Sequence, residues 1–132
     1  MENKVFNIDE LEFKINSTFL VVSKRNSGKS ILVKHILKNL CENHEVSNII
    51  LFSETASYET EYDFIDKKYI IDGIDENKIE KIIKYQQKNT KNNKKIKLIF
   101  IFDDVNVNDK SRQLIKLFTQ SRHFHVTVIV SA

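Results

Sequence analysis

The sequence predicts an α/β fold in three layers, a mainly parallel sheet sandwiched between helices, on three observations. Strand-length apolar runs alternate with helical patterns, two of those runs are apolar almost throughout, and a polar loop with a glycine joins the first run to the first helix. The first run is Phe19 to Val22, followed by the polar turn Ser23 to Ser27 and a helical pattern reaching about Asn43. In that helix Leu32, Val33, Ile36, Leu37 and Leu40 recur at three- and four-residue intervals, while Lys34, Lys38 and Asn39 fall on the other side, so one face packs on a sheet. Asn48 to Ser53 (NIILFS) and Ile96 to Phe102 (IKLIFIF) have the continuous hydrophobicity of central parallel strands covered on both faces. Between them lie a polar stretch Glu54 to Asp66, a short strand Lys68 to Ile71, a turn at Asp72-Gly73 and a helix from about Asp75 to Asn89. A helix from about Asn108 to Gln120, presenting Leu114, Ile115, Leu117 and Phe118, and a final strand His125 to Val130 repeat the unit. Right-handed crossovers then restrict the topology.

At 132 residues with 41% apolar and 30% charged side chains, the chain has the size of one domain, 1–132. Its last strand pattern runs directly into Ser131-Ala132, so the sheet is expected to be truncated after that strand. No apolar run approaches the ~20 residues that cross a bilayer, and MENKVFNIDE lacks the basic-then-apolar order of a signal peptide. Secretion and a membrane partner are therefore not expected. The single cysteine, Cys41, has no internal disulfide partner, and no Cys/His cluster has zinc-site spacing. A net charge of +3 permits a polyanionic partner without demanding one. With no proline and only Gly28 and Gly73, few positions take φ > 0 easily.

Ser23-Lys24-Arg25-Asn26-Ser27-Gly28-Lys29-Ser30 matches the phosphate-loop pattern G-x-x-x-x-G-K-[ST], with Ser23 in place of the first glycine. The loop follows a strand and opens a helix, so backbone N–H groups and the helix N-terminus are expected to face bound phosphates. In that reading Ser23 to Ser30 cradle ATP, Lys29 reaches the β and γ phosphates, and the Ser30 hydroxyl is a ligand of Mg2+. So relaxed a match arises by chance in roughly one chain in a hundred of this length; its place between strand and helix gives it weight. The fold class is accordingly a P-loop NTPase.

A second signal is the apolar strand that closes on Asp103-Asp104. Ligands of parallel sheets bind at the carboxyl ends of the strands, so Asp103 is expected to hold the Mg2+ shell and Asp104 to orient or deprotonate the attacking water. Two aspartates after a strand are also ordinary turn formers, and the phosphate loop upstream is what favours the metal role. A strand intervening between the two motifs, Asn48 to Ser53, is the pattern of the additional-strand class of P-loop ATPases. Third, Arg122 lies between the last helix and the last strand, either to stabilise charge on a transferred phosphoryl group or to neutralise a helix C-terminus. His123 and His125, two apart on an expected extended segment, face one way without a third ligand and read as packing residues. Glu54, at the end of the Asn48 to Ser53 strand, is a weak alternative water-positioning carboxylate.

Together FLVVSKRNSGKSILVKHIL, LIFIFDDV and SRHFHVTVIVSA resemble the DNA-packaging ATPases of nucleocytoplasmic large DNA viruses, within the FtsK–HerA branch of P-loop motors. The resemblance implies a ring of subunits that pumps double-stranded DNA into a capsid at the expense of ATP, with Arg122 a trans-acting finger. It also implies capsid proteins as partners, and the host-cell cytoplasm at the viral assembly site, or the virion, as the location. Asp-Asp stands where the family has Asp-Glu, and the family's polar sensor residue, often Gln, and its last sheet strand have no counterpart after VTVIVSA. Two other readings remain open: a nucleotide-binding module without catalysis, and a small-molecule kinase, for which no arginine-rich lid is visible. Finally, Lys78, Lys81, Lys84, Lys88 and Lys91 recur every three or four residues opposite Ile79, Ile82 and Ile83. Such a stripe either tracks a phosphate backbone or is simply a solvated helix face.

Overall fold

The computed structural model describes residues 13–21, 29–54, 62–103, 117 and 119–131, of which 29–30 and 121–122 by backbone alone. Five strands, β1 (Thr18–Val21), β2 (Asn48–Ser53), β3 (Ile70–Ile71), β4 (Leu98–Asp103) and β5 (Val126–Ser131), form one sheet in the order β1-β5-β4-β2-β3. Every pairing is parallel. Two long helices flank it, α1 (Lys29–Asn43) and α2 (Glu76–Lys91). The α/β architecture expected from the alternating pattern is thus the one adopted.

Alternation along the strands divides the core in two. On one face Ile50 and Phe52 of β2, Phe100 and Phe102 of β4, and Val126, Val128 and Val130 of β5 pack under Ile79 and Ile83 of α2, with Leu117 and Phe124 beside them. On the other face Val21, Leu51, Ile99, Ile101 and Ile129 meet Val33, Ile36, Leu37 and Leu40 of α1. Covering both faces buries β4 and β5 along their whole length, which is why their sequences are apolar runs rather than alternations. Each fully buried Ile or Phe contributes about 1.5–3 kcal/mol. Phe52 stacks on Phe102 at 4.7 Å between centroids and meets Phe100 edge-on at 5.4 Å, so aromatic contacts tie β2 to β4. The connection from β1 to β2 moves across the sheet in one direction with α1 on one face. Those from β3 to β4 and from β4 to β5 move back with α2 and Leu117 on the other, as right-handed crossovers require.

Several local expectations change. The strand that separates β1 from β4 in space is β5, the last in sequence, while β2 lies on the far side of β4. β4 begins at Leu98 and ends on Asp103, and β5 runs to Ser131 rather than stopping at Val130. Of the expected strand Lys68 to Ile71, only Ile70–Ile71 pairs; Lys67–Tyr69 forms a 3₁₀ turn because Asp66 Oδ1 accepts the Lys68 N–H at 3.2 Å. His123 and His125 do not share an extended segment. Ser121–Phe124 is a 3₁₀ turn, and His125 has φ 55°. Its ring sits 3.4 Å from Asn16 Nδ2, and the Asn16 N–H donates to Thr127 Oγ1 at 2.7 Å, so contacts with the approach to β1 set this turn. The expected helix Asn108 to Gln120 is described at Leu117, Thr119 and Gln120, which are helical; the rest of it lies outside the described residues.

Helix ends follow local chemistry. Asp75 caps α2, its Oδ1 accepting the Lys78 N–H at 3.2 Å. Beyond the cap residue Asn92, Asn93 takes φ 56° in the left-handed position that glycine usually fills. At the turn after β3 the left-handed residue is Gly73, φ 68°, where an added Cβ would lie 3.2 Å from Glu54 Cγ and Oε1. Gly73→Ala should therefore cost about 1–2 kcal/mol of stability, read as a lowered midpoint in urea unfolding with an unchanged slope.

Candidate functional site

In a parallel sheet every strand points the same way, so residues that end strands collect along one edge. Here the register sets Ser53 beside Asp103, Asp103 beside Ser131, and Ser131 beside Val21. Neighbouring strands are about 5 Å apart, which makes this a continuous row. Asp103 follows Ile99 and Ile101 in the alternation, Ser131 follows Ile129, and Ser53 follows Leu51; all of those partners face α1. The three polar residues therefore lie on the α1 side of the sheet. All three are buried. Ser131 Oγ, enclosed by protein, has no hydrogen-bond partner among the described residues.

α1 begins at Lys29 on that same face, and its first turn, Lys29 and Ser30 included, contains no acidic residue. The unpaired N–H groups and positive dipole end of the helix are thus not neutralised by a side chain of the turn. Ser23 to Gly28, which bridge the end of β1 and the start of α1, lie outside the described residues, as does Asp104. Glu54 continues β2 at this edge and is exposed, its side chain against Gly73.

The start of α1 and Asp103 lie on the same face of the sheet, whereas Arg122 lies elsewhere. The backbone of Arg122 lies in the 3₁₀ turn before β5, at the edge where strands begin. The six residues of β5 put about 20 Å between that turn and the carboxyl edge, more than an arginine side chain spans. Ser53 and Ser131 carry no motif. The signal that finds them is strand phase: counting by twos from buried Leu51, Ile101 or Ile129 lands on a polar residue at the last position of β2, β4 and β5.

Away from this edge, Cys41 is exposed on α1, and partial desolvation raises its pKa, so it is a neutral thiol at pH 7. Among the described residues no group of three His, Cys, Asp or Glu side chains is placed to hold a metal, and no helix is long and apolar enough to cross a membrane.

Comparison with known proteins gives one structural likeness and one family. Among solved structures the chain is similar to the pCW3 conjugation coupling protein TcpA, in its monomer form with ATPγS, at 16% identity and a TM-score of 0.48. That match covers 88% of this chain, which spans only 42% of the other. No curated protein matches. The family model described as poxvirus A32 protein matches residues 3–132, and the chain belongs to that family.

Proposed function

We propose that this chain binds Mg-ATP at the carboxyl edge of its sheet and hydrolyses it as a subunit of a ring that packages viral double-stranded DNA. The observation that carries the reading is the row Ser53, Asp103 and Ser131 on the face where α1 opens with Lys29-Ser30. A buried hydroxyl with no partner among the described residues, beside a buried carboxylate and a helix start free of acids, suits a ligand that brings both anionic oxygens and a cation. In this reading Ser23 to Ser30 hold the phosphates, Lys29 balances charge at the β and γ phosphates, and Ser30 and Asp103 hold Mg2+. The metal supplies Lewis-acid stabilisation of phosphate charge. Asp104 orients the attacking water or takes its proton, and the Ser131 hydroxyl donates toward the same edge. Work is done at the viral assembly site, with capsid proteins as further partners.

Arg122 enters this scheme only from a neighbour. Its position about one strand length from its own nucleotide edge suits a finger offered across a subunit boundary, where such an arginine is worth ~10³–10⁵ in rate. The test is ATP hydrolysis over a range of protein concentrations with and without duplex DNA. Specific activity should rise with both, and Arg122→Ala mixed with Lys29→Ala should recover part of the activity that each lacks. ATP binding without turnover at any concentration would instead make the chain a nucleotide-binding module. Mixed rings of confirmed composition with no recovery would remove Arg122 from the trans role.

A further inference from the structure

Outside the nucleotide edge, a run of lysines without acids lies on α2 and the loop that follows it. From residue 81 to residue 102 the chain carries seven lysines and no acidic residue. Lys81, Lys84, Lys88 and Lys91 are exposed and, at 100° per residue, fall within an arc of about 80° on the side opposite Ile79. Lys94 and Lys95 continue the stripe past the helix end, also exposed, and Tyr85 is exposed beside it.

The stripe is mounted rigidly. Gln86, buried beneath it, donates through Nε2 to Ile96 O and to Phe124 O, both at 2.9 Å, and accepts from Asn89 Nδ2 at 3.0 Å. The Lys94 N–H closes onto Asn89 O at 2.9 Å, and Ser47 N–H onto Lys97 O at 2.8 Å. These bonds hold the lysine loop to the helix, to the approach to β2 and to the turn before β5. Among the described residues, the adjoining loops that lead into β1 and β2 carry Lys14 and Glu45. The approach to β3 is balanced, with Lys67 and Lys68 beside Asp63 and Asp66.

One or two lysines suffice to complement a helix C-terminus. Six exposed cations in a row repel one another, and among the described residues only Lys84 is answered by an ion pair, to Glu80 at 3.2 Å. The lysines from 81 to 91 span about 15 Å along the helix axis, the axial rise of roughly four phosphates in one strand of a duplex. The geometry points to the outward face of α2 and the 92–97 loop as a surface that tracks the phosphate backbone of duplex DNA without reading its sequence. This rests on the DNA-handling reading above and names the surface that does the handling. It lies on the face of the sheet opposite α1 and runs toward the edge where strands begin, so duplex and ATP do not compete for the same groups.

The experiment measures anisotropy of a labelled duplex of about 30 base pairs, titrated with the full chain between about 50 and 200 mM salt. Wild type should give a log–log salt slope of about −4, and the variant Lys88→Gln/Lys91→Gln/Lys94→Gln/Lys95→Gln a slope of about −1, with affinity at low salt at least about tenfold weaker. Lys34→Gln/Lys38→Gln on α1, exposed on the other face, should bind as wild type. Mg-ATP binding measured on the same samples separates the two claims, because the quadruple variant should retain it in full. A quadruple variant that binds duplex as wild type does, or a wild-type chain that binds Mg-ATP but no duplex at the lowest salt, would overturn the proposal. Tighter binding of an acidic peptide than of duplex would overturn it in favour of a protein partner.

Discussion

Lys29→Ala should weaken Mg-ATP binding by at least about 1.5–3 kcal/mol, roughly 10- to 100-fold in Kd, the worth of charge-assisted hydrogen bonds to phosphate. The effect is expected to be large because Lys29 opens α1 on the face that carries Asp103 and Ser131, and no acid in that first turn stands ready to share its charge. Its loss leaves the helix dipole as the first turn's main answer to the phosphates, worth well under what a full cation supplies. Fold should be kept, since the residues of α1 that pack on the sheet are Val33, Ile36, Leu37 and Leu40, one turn or more further on. Calorimetric titration with Mg-ATP, with far-UV circular dichroism as the control, checks both halves of the expectation.

Asp103→Asn should bind ATP but turn it over slower by on the order of 10²-fold or more, the scale on which removing one transition-state stabilising group acts. Asp103 is buried at the end of the central strand β4, between Ser53 and Ser131 in register. Asparagine keeps its shape and its place in the ladder while removing the charge that a divalent cation needs. The signature is a split: the Mg2+ concentration needed for half-maximal activity rises, while the circular dichroism spectrum stays that of wild type. Turnover unchanged across the Mg2+ range would take Asp103 out of the metal role.

Much of this architecture is legible in the sequence, for definite reasons. α1 and α2 announce themselves by apolar residues at three- and four-residue spacing, and β4 by a run that only a strand buried on both faces tolerates. The place of Asp103 follows from the same run, because a carboxylate after an apolar parallel strand lands on the ligand edge. Ser131 is less visible. It follows five buried residues in β5 and looks like the end of a pattern, and only the pairing of Ser131 with Asp103 gives it a role. The turn at His125 is invisible to any local reading, because Asn16 and Thr127, which shape it, lie 111 residues apart in the chain. Order in the sheet is hidden for the same reason. β5 inserts between β1 and β4 through long-range ladders, and no residue within β5 encodes which strands it will separate. The location of Arg122 at the far edge, however, follows from polarity alone: in a parallel sheet, what precedes a strand and what ends it lie at opposite edges.

The most direct test of the central claim is calorimetric titration of the wild-type chain with ATP, in Mg2+ and then in excess chelator. Saturable binding at one site per chain that weakens at least tenfold when Mg2+ is removed, and that Lys29→Ala and Asp103→Asn each perturb, is the predicted result. Equal heats with and without Mg2+, unaffected by either substitution, would contradict a nucleotide site at the carboxyl edge of this sheet.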